Sequence, residues 1–445
     1  MPSTSVFGID GECWLENISY SDLKRTLAPL PKKARTRMEH PKLRPGLEAI
    51  PITHEGRELI LLRDRMGYGD ASLVISPALL RLVARMNGEL SITDLQRFFF
   101  EGAGETISRE KLEEVVNRLD EHHFLENERF LQLISQIESE FRDNPIRRMA
   151  HAGQSYPAEP EALRRTLDEF FKPENGGPGS PRPNSPGPHI LGLAAPHIDI
   201  QAGGPCFAHA YKAQCEAKSS PDVWVVLGTG HEPVANYFAL TAKHFETPIG
   251  VVRYDEDFCR KLAERAPRDI LASECNHRQE HVIEFQAVFL AHVQPEARIV
   301  PLLCSFSTKE WETDREYIDG MAALLRELAD ERSGKVGFIA SVDLAHVGPR
   351  YGGRVRPDEG VISEHMRADS KLLEIIKKCD ATGFIQAIHN EDNRRNVCGV
   401  APLYVLAKVL EGRAEGRLLH HAYTPVDQHN SFVTFASIAF EEKPL

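Results

Sequence analysis

From residue 43 onward the chain alternates between short strand-like and helix-like apolar patterns. PITHEGRELILLRDR reads as two short strands around a turn at Glu55–Gly56. SPALLRLVARMNG places Ser76 as an N-cap and Pro77 in the first turn of a helix that stops at Gly88. SITDLQRFFFEG opens another short helix at Ser91, and SREKLEEVVNRLDEHHFLEN puts Leu112, Val115, Val116 and Leu119 on one helical face. ERFLQLISQIESEFRD reads as an amphipathic connector. In AHAGQSYPAEPEALRRTLDEFF, Leu163, Leu167, Phe170 and Phe171 again fall at helical spacing.

Beyond residue 188 the pattern is more regular. HILGLAAPH, DVWVVLGTGH, ARIVPLLCS and KVGFIASVDLAH are continuous apolar runs that finish in polar residues. Helical stretches such as EHVIEFQAVFLAHV and EYIDGMAALLRELADE lie between them, and SFVTFASIAF reads as a last strand. Strands apolar on both sides, alternating with helices, predict an α/β sheet covered by helices on both faces. The expected organisation is an irregular arm over 1–42, a small α+β domain over 43–145 and a larger α/β domain over 149–445. The segment PENGGPGSPRPNSPGP, 173–188, is too poor in apolar residues to bury a core and is expected to be a flexible inserted loop.

Composition narrows the partners. The 445 residues carry a formal net charge of −12, which disfavours nucleic acid and anionic membrane surfaces. No apolar run is long enough to span a bilayer, and the N-terminus lacks the basic and apolar regions of a secretory signal, so the default expectation is cytoplasmic. None of the eight cysteines forms a C-x-x-C pair, which weakens ribbon, thioredoxin-like and iron–sulfur readings.

Chemistry concentrates at the strand ends, where open α/β sheets collect their ligands. Three runs end in histidine-bearing turns: A-P-His197-I-Asp199, G-T-G-His231-E and S-V-Asp343-L-A-His346. Cys398 precedes the helical stretch GVAPLYVLAKVLEG, and a cysteine near a helix N-terminus is biased toward the metal-binding thiolate. Two imidazoles and a thiolate would leave an open position on a first-row metal. His281 and Glu284, three apart, share a face if helical and suit a direct ligand, a supporting pair or a surface couple. Asp343 and His346 suit orienting or proton-moving roles. His151, His209, His244, His277, His421 and His429 compete for each role on spacing alone. G-T-G at 228–230 is too short to specify a phosphate loop.

Six short motifs, H-A-G-Q-S-Y-P at 151–157, A-A-P-H at 194–197, L-G-T-G-H at 227–231, E-H-V-I-E at 280–284, S-V-D-L-A-H at 341–346 and N-V-C-G at 396–399, occur in the order found in the Memo family. Its bacterial and archaeal members are called AmmeMemoRadiSam system protein B. The resemblance implies a fold like that of the class III extradiol dioxygenases over about 149–445. It implies metal ligands at His197, His231 and Cys398, with Asp343, His346, His281 and Glu284 as the surrounding catalytic set. The chain departs from the family in having A-P-H-I-D-I for A-P-H-A-G-Y and His231–Glu232 for two successive histidines. The helix order of 43–145 resembles a winged helix and is similar to PqqD-like domains that accompany radical-SAM systems. The excess of acidic over basic residues in Ser108–Asp143 favours a protein or peptide partner there over DNA. Three functions stay open: an iron-dependent oxidoreductase (copper or zinc being alternative metals), a non-enzymatic metal-binding scaffold, and a zinc-dependent hydrolase.

Overall fold

The computed structural model describes residues 6–8, 38–54, 56–64, 66–69, 72–104, 106–182, 187–218, 220–332 and 336–443. The chain divides into two compact units, Met1–Glu140 and Phe141–Leu445.

In the first unit β1 (Val6–Gly8), β2 (Leu47–His54), β3 (Arg57–Asp64) and β4 (Ser72–Ile75) form a sheet in the order β1-β4-β3-β2. The β2–β3 hairpin turns at Gly56, whose φ of 75° favours glycine. Three helices follow: α1 (Pro77–Val83), α2 (Ile92–Ala103) and α3 (Arg109–Glu121). Each starts where a side chain caps it. Ser76 accepts from the Leu79 N–H, Ser91 forms a capping box with Asp94, and Ser108 accepts from the Lys111 N–H. Helix α1 ends at Val83, short of the expected Gly88. Leu82, Leu95, Leu112, Val116 and Leu119 share one core with Leu62 and Leu73 of the sheet. The arm expected over 1–42 is not wholly irregular. Val6–Gly8 pairs in parallel with β4, and Glu39 and Lys42 ion-pair with Arg109 and Glu126; 9–37 lie outside the described residues. Helix α4 (Glu128–Asp143) reaches the boundary between the units.

The second unit begins at Phe141, ahead of the expected 149. The difference matters because β5 (Ile146–Arg147) is a strand of the large sheet and the Arg147 side chain is fully buried. Then follow α5 (Pro160–Phe171), β6 (Ile190–Ala195), α6 (Ile200–Cys215), β7 (Val223–Thr229), β8 (Phe238–Leu240), β9 (His244–Thr247), β10 (Gly250–Tyr254), α7 (Glu256–Arg265) and α8 (His281–Val293). The chain continues through β11 (Arg298–Cys304), α9 (Thr308–Glu331), β12 (Val336–Ser341), β13 (His346–Val347), α10 (Glu359–Lys377), α11 (Ala381–Asn390), α12 (Val400–Leu410), β14 (Ala414–Pro425) and β15 (Phe432–Glu442).

Strands run in the order β13-β15-β6-β12-β7-β11-β10-β9-β5, with β14 on β15 and β8 on β11. The centre, β6-β12-β7-β11-β10, is parallel. Along β7, Val223, Val225 and Leu227 face one core while Trp224 and Val226 face the other. Alternation across two buried faces is why the run is apolar throughout. Helices α7, α9, α10, α11 and α12 cover the first face; α5, α6 and α8 cover the second. Gly228 lets α8 lie close on β7, since a Cβ there would come 2.5 Å from Val282.

The loop expected to be flexible over 173–188 is tied down where it is described. Backbone N–H groups of Gly177 and Gly179 donate to Lys172 and Phe171, Lys212 reaches the Ser180 carbonyl, and the Arg182 N–H donates to Glu216. The segment has no core of its own, but α5 and α6 supply its polar partners. Residues 183–186 lie outside the described set. Among the described residues, no helix is long and apolar enough to cross a membrane.

Candidate metal centre

Strand order builds the site. Strand β12 lies between β6 and β7, and Ser341 is level with Ala195 on one side and Gly228 on the other. Two residues beyond Ser341 stands Asp343. Two beyond Ala195 stands His197, and three beyond Gly228 stands His231. Adjacent strands run roughly 4.8 Å apart, so three consecutive strand ends deliver these side chains to one spot. The His197 and His231 rings are 5.2 Å apart between centroids.

Each imidazole is held by its Nδ1. The Ser341 carbonyl lies 2.9 Å from His197 Nδ1, and a Glu280 carboxylate oxygen lies 3.0 Å from His231 Nδ1. A carbonyl and a carboxylate only accept, so Nδ1 carries the proton in both rings and Nε2 carries the lone pair. Cys398 completes the set, its Sγ 3.2 Å from His197 Nε2 and 3.5 Å from the Asp343 carbonyl. One ligand atom from each of His197, His231 and Cys398 lies within 4.8 Å of the others. Metal–sulfur and metal–nitrogen bonds of about 2.3 and 2.1 Å would set sulfur and nitrogen about 3.1 Å apart at a right angle and about 3.6 Å apart at a tetrahedral one. The Sγ–Nε2 distance falls between these values, so Cys398 and His197 are spaced to share one ion, with His231 the third candidate donor.

The neighbours divide into those turned to the site and those turned away. Asp343 accepts from the backbone N–H groups of His197 and Ile198 through one oxygen, and its other oxygen lies 3.7 Å from His197 Nε2. Burial raises its carboxyl to about 7 against those two donors. His281 opens α8, and its ring stacks on His231 at 5.2 Å with Nδ1 3.1 Å from Glu280. Glu280 therefore grips two imidazoles at once. Burial raises its pKa, but the His231 and His281 rings more than offset this and hold it well below the usual range. His346 packs edge-on against Tyr351 at 5.0 Å, and burial lowers its pKa to about 4.

Glu284 does not join the cluster. Its carboxylate is fully buried and takes Arg147, the Tyr156 hydroxyl and the backbone N–H groups of Ala150 and His151. Four donors leave it no part in proton transfer, and although burial acts the other way, Arg147 leads in holding it at about 2. The expectation that Cys398 is a ready thiolate also fails for the metal-free protein. Burial, followed by the nearby Asp343, pushes the thiol well above its usual value.

Sequence reasoning did not single out Glu280, although it stands in the quoted E-H-V-I-E run; a carboxylate before a helix reads first as a cap, and this one also accepts from the His281 N–H. Tyr351 was also missed. Its phenol is raised to about 12 by burial, with Asp343 and Cys398 adding to that and Arg350 opposing it. Of the competing histidines, His151 comes close, its ring 5.7 Å from His281. A cleft of about 460 Å³ opens beside Cys398, lined among others by Gly230, Val234, Ser305, Lys309 and Asp392.

The family described as Memo-like protein matches residues 147–439. The chain belongs to the Memo family. A MEMO1 family protein of Methanopyrus kandleri is 32% identical over 302 residues, spanning 65% of this chain and 97% of its own length. Another, from Aquifex aeolicus, is 28% identical over 400 residues, covering 89% of this chain and all of itself. That span exceeds the Memo region and reaches into the first unit.

Proposed function

We propose that His197, His231 and Cys398 hold a single first-row metal, iron ahead of copper or zinc, and that the protein is a mononuclear non-haem oxidoreductase. The observation that carries this is the convergence of three donor atoms within 4.8 Å, on imidazoles whose Nε2 atoms are fixed as the lone-pair nitrogens. A bound iron supplies redox chemistry and Lewis acidity at the positions the protein leaves open. The chain does the rest. Asp343 holds the backbone of 197–198 and so the reach of His197. His281, held by Glu280 through Nδ1, has its lone pair on Nε2 and is the acid–base residue. Tyr351, whose phenol feels Asp343 and Cys398, lies near the set with His346 packed against it, and the cleft beside Cys398 is the proposed way in for substrate. The test is elemental analysis of protein purified without added metal, alongside Cys398→Ala and oxygen uptake with catechols. Stoichiometric iron in the parent and its loss in the variant are expected. Retention of metal by Cys398→Ala would reject the ligand set, and zinc without oxygen uptake would reject the oxidoreductase.

A second reading concerns the first unit. We infer that it is a winged-helix, PqqD-like module that docks a protein or peptide of a radical-SAM system, with the Memo region acting as a metal-binding scaffold. Support comes from the Aquifex relative, whose similarity covers 89% of this chain and so extends into the first unit, and from the acidic excess of Ser108–Asp143. Salt-sensitive binding of duplex DNA by the whole chain would reject it.

A further inference from the structure

His197 and His231 stand on strand ends, but Cys398 stands in a loop between α11 and α12 that bends through three left-handed residues. Asp392, Asn393 and Asn396 adopt φ of 50°, 43° and 49°. Asp and Asn are the non-glycine residues that most readily adopt the left-handed region, so these positions permit the loop's path and its partners fix it.

What fixes it is centred on Arg395. This side chain is buried, with its guanidinium on Asp369 of α10 and its Nε 2.7 Å from Glu391. Asp369 is itself fully buried, and its second oxygen faces His421 Nε2 of β14 at 3.8 Å. The backbone on either side is fixed as well. Arg395 O accepts from the His346 N–H at 2.8 Å, and Asn396 Nδ2 donates to the His346 carbonyl at 3.2 Å. Gly399 follows, where a Cβ would lie 2.9 Å from the Asp343 carbonyl, so the loop abuts the end of β12.

A buried Arg–Asp pair, here with half-exposed Glu391 on its flank, is a poor source of stability, because desolvation offsets most of its attraction and apolar residues would do as well. It does hold one register. We propose that the Asp369–Arg395 ion pair is a latch that sets Cys398 Sγ against His197, making Asp369 and Arg395 positioning residues for the metal-binding set. This rests on the metal reading above for its consequence, though the latch itself is a property of the metal-free chain.

The test uses the full chain stripped of metal and titrated with Co²⁺, which reports a bound thiolate by a near-ultraviolet charge-transfer band. The band is expected in the parent and absent from Cys398→Ala. In Asp369→Asn and Arg395→Met it weakens, with Co²⁺ affinity falling roughly 10–100-fold. Arg395→Lys, which keeps a cation on Asp369, retains more of the band than Arg395→Met. A second readout needs no metal: the rate at which a thiol reagent labels Cys398, located by peptide mapping, rises in Asp369→Asn. If Arg395→Met fails to fold, the near-isosteric Asp369→Asn decides. Parental affinity and band in a folded Asp369→Asn would overturn the latch. Absence of the band from the parent would reject the ligand set instead, and the latch would then fall if Asp369→Asn left the labelling rate unchanged.

Discussion

Replacing Arg147 by Met should cost about 3–5 kcal/mol, the usual result of removing one partner from a buried ion pair. Both Arg147 and Glu284 are fully shielded from solvent. The guanidinium also donates to the carbonyls of His277, Arg148 and Glu280, so those acceptors lose a donor as well. An independent figure comes from the carboxyl. Glu284 lies at about 2 against an ordinary value of 4.5, so at about 1.36 kcal/mol per unit its partners, net of the burial that opposes them, favour the ionised form by about 3 kcal/mol. The sign follows from linkage. In the parent the folded pKa is depressed, so the stabilisation is present above the unfolded value and is lost as pH falls through about 2. In Arg147→Met burial prevails, the folded pKa rises above the unfolded one, and the defect should be largest near pH 8 and shrink toward pH 5. Arg147→Met/Glu284→Gln, which removes the orphaned charge, should recover part of the loss. Urea unfolding followed by the fluorescence of buried Trp224 measures this. A loss under about 1 kcal/mol at pH 8, or one that does not change with pH, would refute the reasoning.

A chain cut to begin at Met149 lacks Arg147 and should unfold like Arg147→Met, whereas one beginning before Phe141 should match the parent; unfolding midpoints of the two truncations decide. His277 is buried and neutral, its Nε2 donating to the Ala239 carbonyl at 2.8 Å, and burial lowers it to about 4. Its folded pKa is below the unfolded one, so stability is lost as pH falls from roughly 6.5 toward 4, and His277→Gln should flatten that part of the stability–pH curve. Gly228→Ala should push α8, and with it Glu280 and His281, off β7, costing about 1–3 kcal/mol and reducing retained metal; elemental analysis with unfolding curves checks both.

Much of this site could be read from the chain because its strands are buried on both faces. Continuous apolar runs marked β6, β7, β11 and β12, and polar residues at their ends marked where chemistry could collect. What the pattern does not encode is that β12 lies between β6 and β7, which is why Asp343 falls between two histidines. The long β14 escaped notice because its burial is broken by exposed and half-buried residues from Glu415 onward. Glu284 was misplaced for a related reason. Helical spacing puts it on the face of His281, but Arg147, more than a hundred residues earlier in the chain, decides which way its carboxylate is spent.

The ligands are therefore held by two different means. His197 and His231 are fixed by parallel strands and by acceptors on their Nδ1 atoms, so disturbing them means disturbing the sheet. Cys398 sits beyond a loop that the Asp369–Arg395 pair and the end of β12 hold in place. Fold stability and metal retention should separate accordingly. Arg147→Met removes a support of the sheet edge and of α8, and its effect appears first in unfolding. Asp369→Asn also leaves a buried guanidinium without its partner and so costs stability, but it acts on the approach of the sulfur, and its loss of metal should exceed that of Arg147→Met at an equal loss of stability. A single scale on which both substitutions lowered stability and metal retention in constant proportion would mean that the thiolate arm is not an independent element of the site.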